Sequence, residues 1–279
     1  MRVFVLLLVS LLASPAIAET VHFESAIRPP TLLQQRLAKE HGTPIASQPR
    51  TELIGELYRP PGRGPYPAVV ALHGCTGRGS KAYEDATAAR FTGEGYALLF
   101  VDSFKPRGIT ERCHDAVLGL NVDRVMDAYG GLLYLAAQPF VDPERIAVVG
   151  YSQGAMVALS AVALEGEETL FEHHFRAAIA YYPGCRTEQR AVSVPTLILI
   201  GALDDWASAA ACQAVMTRRS GEGAPLRLVI YPGAYHAFDA VTLRGRPLTY
   251  QGHHLEYNEA ADRAAWREVA AFLRQAFGR

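Results

Sequence analysis

Short apolar segments alternate with longer amphipathic ones over most of the chain, from residue 51 to the C-terminus. A short apolar run between turn residues predicts a buried strand, and apolar positions three and four residues apart predict a helix. The predicted strands are 51–59, 68–72, 97–101, 146–149, 177–181, 196–200 and 226–231. The predicted helices are 122–137, 155–164 and 258–277. This alternation indicates a mostly parallel sheet with helices on both faces.

The N-terminal part of the chain follows a different pattern. A turn rich in proline and glycine at 60–65 separates the first two strands, so we expect them to pair as an antiparallel hairpin. Residues 19–50 show little periodicity and contain several prolines, which predicts an extended arm with one short helix near 32–38. We therefore assign 19–50 to an N-terminal arm and 51–279 to a single domain.

Residues 1–18 have the features of a secretory signal peptide. Met1 and Arg2 precede the apolar run 3–13, and the segment ends in Ala16, Ile17 and Ala18, a small-residue pattern of the A-x-A type. The apolar run is shorter than the ~20 residues that a membrane-spanning helix needs. We predict cleavage after Ala18 and export, to the periplasm if the source is a Gram-negative bacterium, or secretion.

Charge and composition narrow the class of partner. The chain has 27 Lys and Arg against 28 Asp and Glu, a net charge of -1, so it lacks the basic footprint of nucleic-acid or anionic-membrane binding. Hydrophobic residues make up 49% of the chain, which is enough for one substantial core. We expect a small-molecule partner and no membrane span in the mature protein. The oligomeric state stays open.

An even number of cysteines fits an oxidising compartment, where disulfides are favoured. The four are Cys75, Cys113, Cys185 and Cys212. Of the three possible pairings we favour Cys75 with Cys113 and Cys185 with Cys212, because each pair joins loops expected at the same end of the sheet. Four buried thiols are the alternative. Neither C-x-x-C nor clustered Cys/His spacing occurs, so no metal site is predicted.

A nucleophile motif lies between the strand 146–149 and the helix 155–164. Residues 150–154 read Gly-Tyr-Ser-Gln-Gly, which is G-x-S-x-G in the strand–turn–helix context that this motif requires. The turn is so tight that side chains at Gly150 or Gly154 would collide with neighbours. The helix N-terminus favours developing negative charge. We predict that Ser152 is a nucleophile.

A serine hydroxyl needs a general base, and with this motif the acid and the histidine follow the serine along the chain. Asp204 follows the strand 196–200, at the end of the sheet where sites of such folds form. His236 follows the strand 226–231. We predict His236 as the base and Asp204 as the acid that fixes its tautomer. Asp205 stays open as the acid, with a helix cap as its other interpretation.

The loop after the strand 68–72 is expected to complete the site. The backbone N–H groups of Cys75 and Gln153 are predicted to bind the oxyanion, and His73 to anchor the loop through hydrogen bonds. A disulfide to Cys113 would brace this loop. The adjacent pairs at 173–174 and 253–254 are interpreted as surface histidines, because neighbouring residues in regular structure point apart. Neither a metal nor an organic cofactor is required.

Five segments together resemble the dienelactone hydrolase family. They are H-G-C-T-G at 73–77, V-D-S-F at 101–104 with Pro106, Arg107 and Gly108, G-Y-S-Q-G at 150–154, G-A-L-D-D-W at 201–206 and Y-P-G-A-Y-H-A-F-D at 231–239. The resemblance runs from Glu52 to the C-terminus. It implies one α/β-hydrolase domain with little or no lid, and triad roles for Ser152, Asp204 and His236. Its dienelactone-cleaving members use a cysteine nucleophile and an acidic residue after the first parallel strand, where this chain has Ser152 and His-Gly-Cys.

We therefore expect a serine hydrolase that cleaves carboxylic esters outside the cytoplasm through an acyl-enzyme. An amidase, peptidase or acyltransferase with the same triad is the alternative, and an exported binding protein without turnover is a third. The aromatic candidates for a substrate pocket are Tyr151, Phe104, Trp206, Tyr235 and Phe238.

Overall fold

The computed structural model describes residues 17–45, 50–114, 123–186, 191–219 and 221–278. The proposed signal peptide lies outside this part of the chain, except that its last two residues, Ile17 and Ala18, begin the first strand. Cleavage after Ala18 therefore stays a prediction. Within the described ranges, no helix combines the length and the apolar character needed to cross a membrane.

In the part of the chain that the structure describes, eight strands form the central sheet. They are β1 (Ile17–Glu24), β2 (Glu52–Arg59), β3 (Tyr66–Leu72), β4 (Ala97–Asp102), β5 (Val141–Tyr151), β6 (Ala177–Tyr181), β7 (Thr196–Gly201) and β8 (Leu226–Tyr231). Their order across the sheet is β1-β2-β4-β3-β5-β6-β7-β8. The strands from β4 to β8 in this order pair in parallel, whereas β2 pairs antiparallel with both β1 and β4. The predicted α/β fold with a mostly parallel sheet is confirmed.

One expectation for the N-terminal strands was wrong. The strands β2 and β3 do not form a hairpin, because β4 lies between them and pairs with both. Residues 68–72 of β3 are buried on both faces, as suits a strand inside a parallel sheet, whereas β2 alternates between buried and more exposed positions. The expected arm, extended with one short helix, is found: its first residues form β1, an edge strand on β2, and a helix spans Leu32–His41.

Helices pack on both faces of the sheet. They are α2 (Lys81–Gly93), α3 (Arg124–Ala136), α4 (Gln153–Ala161), α5 (Ala209–Arg218) and α6 (Glu259–Ala276). The helix α1 (Leu32–His41) belongs to the N-terminal arm and has no buried residue. Phe91 of α2 and Val269 of α6 belong to the core on one face, and Met126 and Leu132 of α3 to the core on the other. Successive side chains of β3 point to opposite faces of the sheet and so contribute to both cores. Val69 belongs to the core on the side of α2 and α6.

Sequence periodicity did not predict α2, α5 or a short hairpin of β9 (Leu248–Tyr250) and β10 (His253–Leu255). The buried face of α2 contains Glu84 and two threonines, so its apolar stripe is weak. Only Cys212 and Val215 of α5 are buried. The usable signals were the N-cap serines Ser80 and Ser208, whose hydroxyls accept backbone N–H bonds in the first turns.

Candidate active site

Ser152 lies in a strained turn between β5 and α4. Its φ of 53° is in the left-handed region, and its N–H donates to the Tyr181 carbonyl at 2.9 Å. A Cβ on Gly150 would lie 2.0 Å from the carbonyl oxygen of Gly154, and a Cβ on Gly154 would lie 2.2 Å from that of Leu72. Both flanking glycines are therefore sterically required, and the turn holds the hydroxyl above the carboxyl end of the sheet.

Ser152, His236 and Asp204 form one chain of hydrogen bonds. Ser152 Oγ lies 3.0 Å from His236 Nε2, and His236 Nδ1 lies 2.9 Å from Asp204 Oδ2. The histidine and the aspartate are both buried. Asp204 Oδ1 also accepts the backbone N–H groups of Trp206 at 3.0 Å and Ala207 at 2.7 Å, which fixes the carboxylate. With Nδ1–H donating to Asp204, Nε2 is free to accept the serine proton.

Asp205 faces away from the hydrogen bonds that join Ser152, His236 and Asp204. Its carboxylate accepts the backbone N–H of His254 at 3.1 and 3.2 Å, and it lies 3.8 Å from Nδ1 of His253. These contacts join the loop after β7 to the hairpin of β9 and β10. The geometry therefore favours Asp204 over Asp205 as the partner of His236.

The two predicted oxyanion donors lie beside Ser152. Gln153 is the first residue of α4, so its N–H is one of those that a helix leaves without an intrahelical acceptor. Cys75 and Gln153 both line a small cavity of about 210 Å³ next to the serine. The Cys75 carbonyl accepts the Arg112 N–H at 2.7 Å. Their role in binding an oxyanion stays a prediction.

Both favoured cysteine pairs are bonded. Cys75 is linked to Cys113, and Cys185 to Cys212. The first disulfide ties the loop after β3 to the segment that follows β4. The second ties the loop after β6 to α5, as expected for loops at one end of the sheet.

His73 anchors the loop through both ring nitrogens. Nδ1 lies 2.7 Å from the Gly74 carbonyl, to which it donates, and Nε2 accepts the Ser103 N–H at 3.2 Å. Burial, with a smaller contribution from the nearby Arg124 guanidinium, holds the pKa of His73 well below its ordinary value. The ring is therefore a neutral structural element of the loop.

Arg124 is a site residue that the motifs did not reveal. Its guanidinium is buried and donates to the Gln153 side-chain oxygen at 2.8 Å and to the His73 carbonyl at 2.6 Å. It thus connects the two segments that carry the predicted oxyanion donors. Burial lowers the pKa of Arg124 to about 10. The available signal was a charged residue at the start of a largely apolar helix that contains one other charged residue, Asp127.

A large cavity of about 340 Å³ opens beside Ser152. Tyr151 and Trp206, two of the five aromatic candidates, line it. The other three candidates do not line this cavity. Phe104 and Phe238 are buried core side chains, packed against His73 and against Tyr231, and Tyr235 packs against His254.

The histidines at 253–254 also lie closer to the site than expected of surface residues. The His253 ring stacks on Trp206 with 4.8 Å between centroids, and both histidines are only partly exposed. His253 pairs with Tyr250 of β9, which lines the cavity. Across the described ranges, no cluster of three or more His, Cys, Asp or Glu could hold a metal ion.

The profile of the dienelactone hydrolase family matches residues 53–277. The chain belongs to this family. Acyl-coenzyme A amino acid N-acyltransferase 1 of Mus musculus is 21% identical over 310 residues, covering 92% of this chain and 72% of that protein.

Solved structures resemble this family member over nearly its whole length. Dienelactone hydrolase of Anabaena variabilis has 18% identity and a TM-score of 0.62, with 94% of this chain and 99% of that chain covered. A dienelactone hydrolase-like promiscuous phosphotriesterase from metagenomic libraries has 17% identity and a TM-score of 0.65, with 93% and 98% covered. At these identities the likeness shows the shared α/β-hydrolase fold.

Proposed function

We propose that this family member is a serine hydrolase that cleaves carboxylic esters. The observation that supports this proposal is the chain from Ser152 Oγ through His236 to Asp204, with contacts of 3.0 and 2.9 Å, at the mouth of a cavity. These are the distances that a general base needs to take a proton from a nucleophile.

The proposed reaction proceeds in two halves. Ser152 Oγ attacks the ester carbonyl while His236 Nε2 takes its proton, and the same proton is then given to the departing alcohol. Water, deprotonated by His236, attacks the acyl-enzyme and releases the acid. Asp204 holds the ring orientation and stabilises the imidazolium that forms in each half.

The negative charge that develops on the carbonyl oxygen would be bound by the N–H groups of Cys75 and Gln153. Loss of one such donor typically raises the barrier by about 3 kcal/mol. Arg124 holds Gln153 and His73 and would keep the two donors at a fixed separation.

Hydrolysis of short-chain p-nitrophenyl esters by the purified mature protein tests this proposal, together with fluorophosphonate labelling followed by mass spectrometry. We expect turnover and a label on Ser152, both lost in Ser152→Ala. The structure allows a matched control in Ser160→Ala, a serine in the same helix whose hydroxyl donates to the Met156 carbonyl. Absence of both label and turnover would favour a binding protein without catalysis.

Acyl transfer to an amine is the second candidate, because a related curated protein is an amino acid N-acyltransferase. The same acyl-enzyme would then be resolved by an amine instead of water, and amide or peptide cleavage would be the reverse sense of that chemistry. Turnover of one ester in the presence of competing amines and alcohols separates these reactions. A predominantly acid product supports hydrolysis, and a predominantly amide product supports transfer.

We also propose that the protein is exported. Two disulfides fit an oxidising compartment, in agreement with the signal-peptide features of residues 1–18. Expression with residues 1–18 present, followed by fractionation and intact mass, tests this. We expect a processed chain that begins at Glu19, carries four oxidised cysteines and lies outside the cytoplasm.

A further inference from the structure

Two cavities meet at Ser152. The large cavity, of about 340 Å³, and the small cavity, of about 210 Å³, share Ser152, His236, Cys75, Tyr182 and Trp206 as lining residues. A carbonyl bound at Ser152 would therefore lie at their boundary. The two halves of an ester would extend in different directions, one into each cavity.

The walls of the large cavity are mainly aromatic and aliphatic. Its aromatic lining residues are Tyr83, Phe100, Tyr151, Tyr182, Trp206 and Tyr250. Leu243, Leu248 and Leu255 close it on the side of the β9–β10 hairpin. An apolar protein cavity of ~150 Å³ is known to hold benzene, so the volume here suits a ring with a short substituent.

The charged residues in the lining decide whether the large cavity can hold an ionised group. Among the described residues that line the large cavity, none is lysine or arginine, and one is the carboxylate Glu84. Glu84 is buried and binds Arg78 through both oxygens, with Arg78 Nε 2.6 Å from Oε1. That guanidinium is therefore engaged by the protein's own carboxylate.

A second carboxylate lies directly behind the wall. Asp239 is buried and accepts the hydroxyl of Tyr83 at 2.9 Å and that of Tyr182 at 2.7 Å. His73, which also lines the large cavity, is neutral because burial holds its pKa well below the ordinary value. A substrate carboxylate in this cavity would lose its water without gaining a cation, since Arg78 is already paired with Glu84, and it would approach the buried Asp239.

We infer that the large cavity binds an uncharged ring-sized group, aromatic or alicyclic, of the ester and excludes groups that carry a carboxylate. The inference rests on the proposed function. The substrate class is then neutral aryl or cycloalkyl esters, and specificity is determined by the aromatic and leucine side chains that line the large cavity.

Two matched pairs of esters test the inference. One pair varies the acyl side: p-nitrophenyl phenylacetate and p-nitrophenyl 4-carboxyphenylacetate. The other varies the alcohol side: benzyl acetate and 4-carboxybenzyl acetate. In the pair whose ring enters the large cavity, we expect kcat/KM at pH 7.5 to be at least ~100-fold lower for the carboxylate member. The corresponding carboxamide esters control for size and should stay within about tenfold of the unsubstituted ones.

An arginine introduced into one cavity or the other shows which cavity excludes the substrate carboxylate. The half-buried Leu243 lines the large cavity and Met156 the small one. Leu243→Arg should raise kcat/KM for the carboxylate ester at least tenfold and lower it for the neutral partner, whereas Met156→Arg should not rescue the carboxylate ester. Circular dichroism and fluorophosphonate labelling confirm that each variant is folded and has a reactive serine.

Equal rates, within threefold, for the carboxylate and neutral members of both pairs would overturn the inference. Rescue by Met156→Arg and not by Leu243→Arg would overturn the assignment to the large cavity. Failure of the proposed function looks different, because then none of the neutral esters turns over and Ser152 is not labelled.

Discussion

The hydroxyl of Tyr182 donates to Oδ1 of Asp239 at 2.7 Å, while the tyrosine ring packs 4.5 Å from that of His236. Tyr182 has a φ of 42°, an unfavourable value for a residue with a side chain. Burial raises the pKa of Asp239, and the bonds from Tyr182 and Tyr83 oppose that shift. A buried carboxylate thus holds a strained tyrosine against the histidine of the site.

Tyr182→Phe should reduce kcat by roughly tenfold, because the ring loses its anchor and no longer fixes His236. Tyr83→Phe is the matched control: it also removes one hydroxyl from Asp239, but its ring contacts Tyr151 instead of His236. Both variants should lose about 1–3 kcal/mol in the free energy of unfolding. Steady-state kinetics and urea unfolding separate the two effects. Equal kcat in the two variants would show that Tyr182 has no positioning role.

Asp204→Asn should lower kcat by about 10⁴-fold, because an amide can stabilise the wrong tautomer of His236 and cannot balance an imidazolium. Asp205→Asn should leave kcat close to that of the wild type, since Asp205 bonds to the His254 backbone. Ester hydrolysis under saturating substrate measures both. Similar, mild losses in the two variants would mean that neither is the acid.

The two disulfides should differ in their effect on activity but not on stability. They close loops with sequence separations of 38 and 27 residues, each worth ~4 kcal/mol in the chain-entropy treatment. Removing Cys75–Cys113 by double alanine substitution should also lower kcat/KM by roughly 10- to 100-fold, because Cys75 carries a predicted oxyanion donor. Removing Cys185–Cys212 should not.

Thermal unfolding and ester kinetics on the two double variants test this comparison. Full activity after loss of Cys75–Cys113, with the expected loss of stability, would show that the loop after β3 keeps its position without the disulfide.

Stability should fall in mild acid partly because of His73. The folded protein keeps this ring neutral, with its pKa well below 6.5, whereas the unfolded chain takes up a proton below about 6.5. The contribution is therefore fully present above that pH and is lost as the pH falls, at up to about 1.4 kcal/mol per pH unit. The difference in unfolding free energy between pH 7.5 and 5.5 should be smaller in His73→Asn.

His174→Asn, at an exposed position, is the control for this measurement and should leave the difference between the two pH values unchanged. A difference in His73→Asn equal to that of the wild type would assign the acid sensitivity to other groups.

Residues that follow a strand end could be placed from the sequence. Ser152, Asp204 and His236 each lie within five residues of the end of an apolar run, and parallel strands bring such positions to one edge of the sheet. Strand neighbours could not be derived in this way, because the insertion of β4 between β2 and β3 depends on long-range pairing. Nor could the aromatics be sorted: Trp206 lines the large cavity and Phe238 fills the core, although both follow a strand.

The buried cation of Arg124 links the two halves of the site. Its hydrogen bonds reach His73, in the loop after β3, and Gln153, at the start of α4. Separation of these segments would leave a guanidinium without acceptors in a low-dielectric interior, which is strongly unfavourable. A state in which only one of the two segments has moved is therefore high in free energy. The backbone amides of both segments should exchange with solvent together, in one cooperative opening.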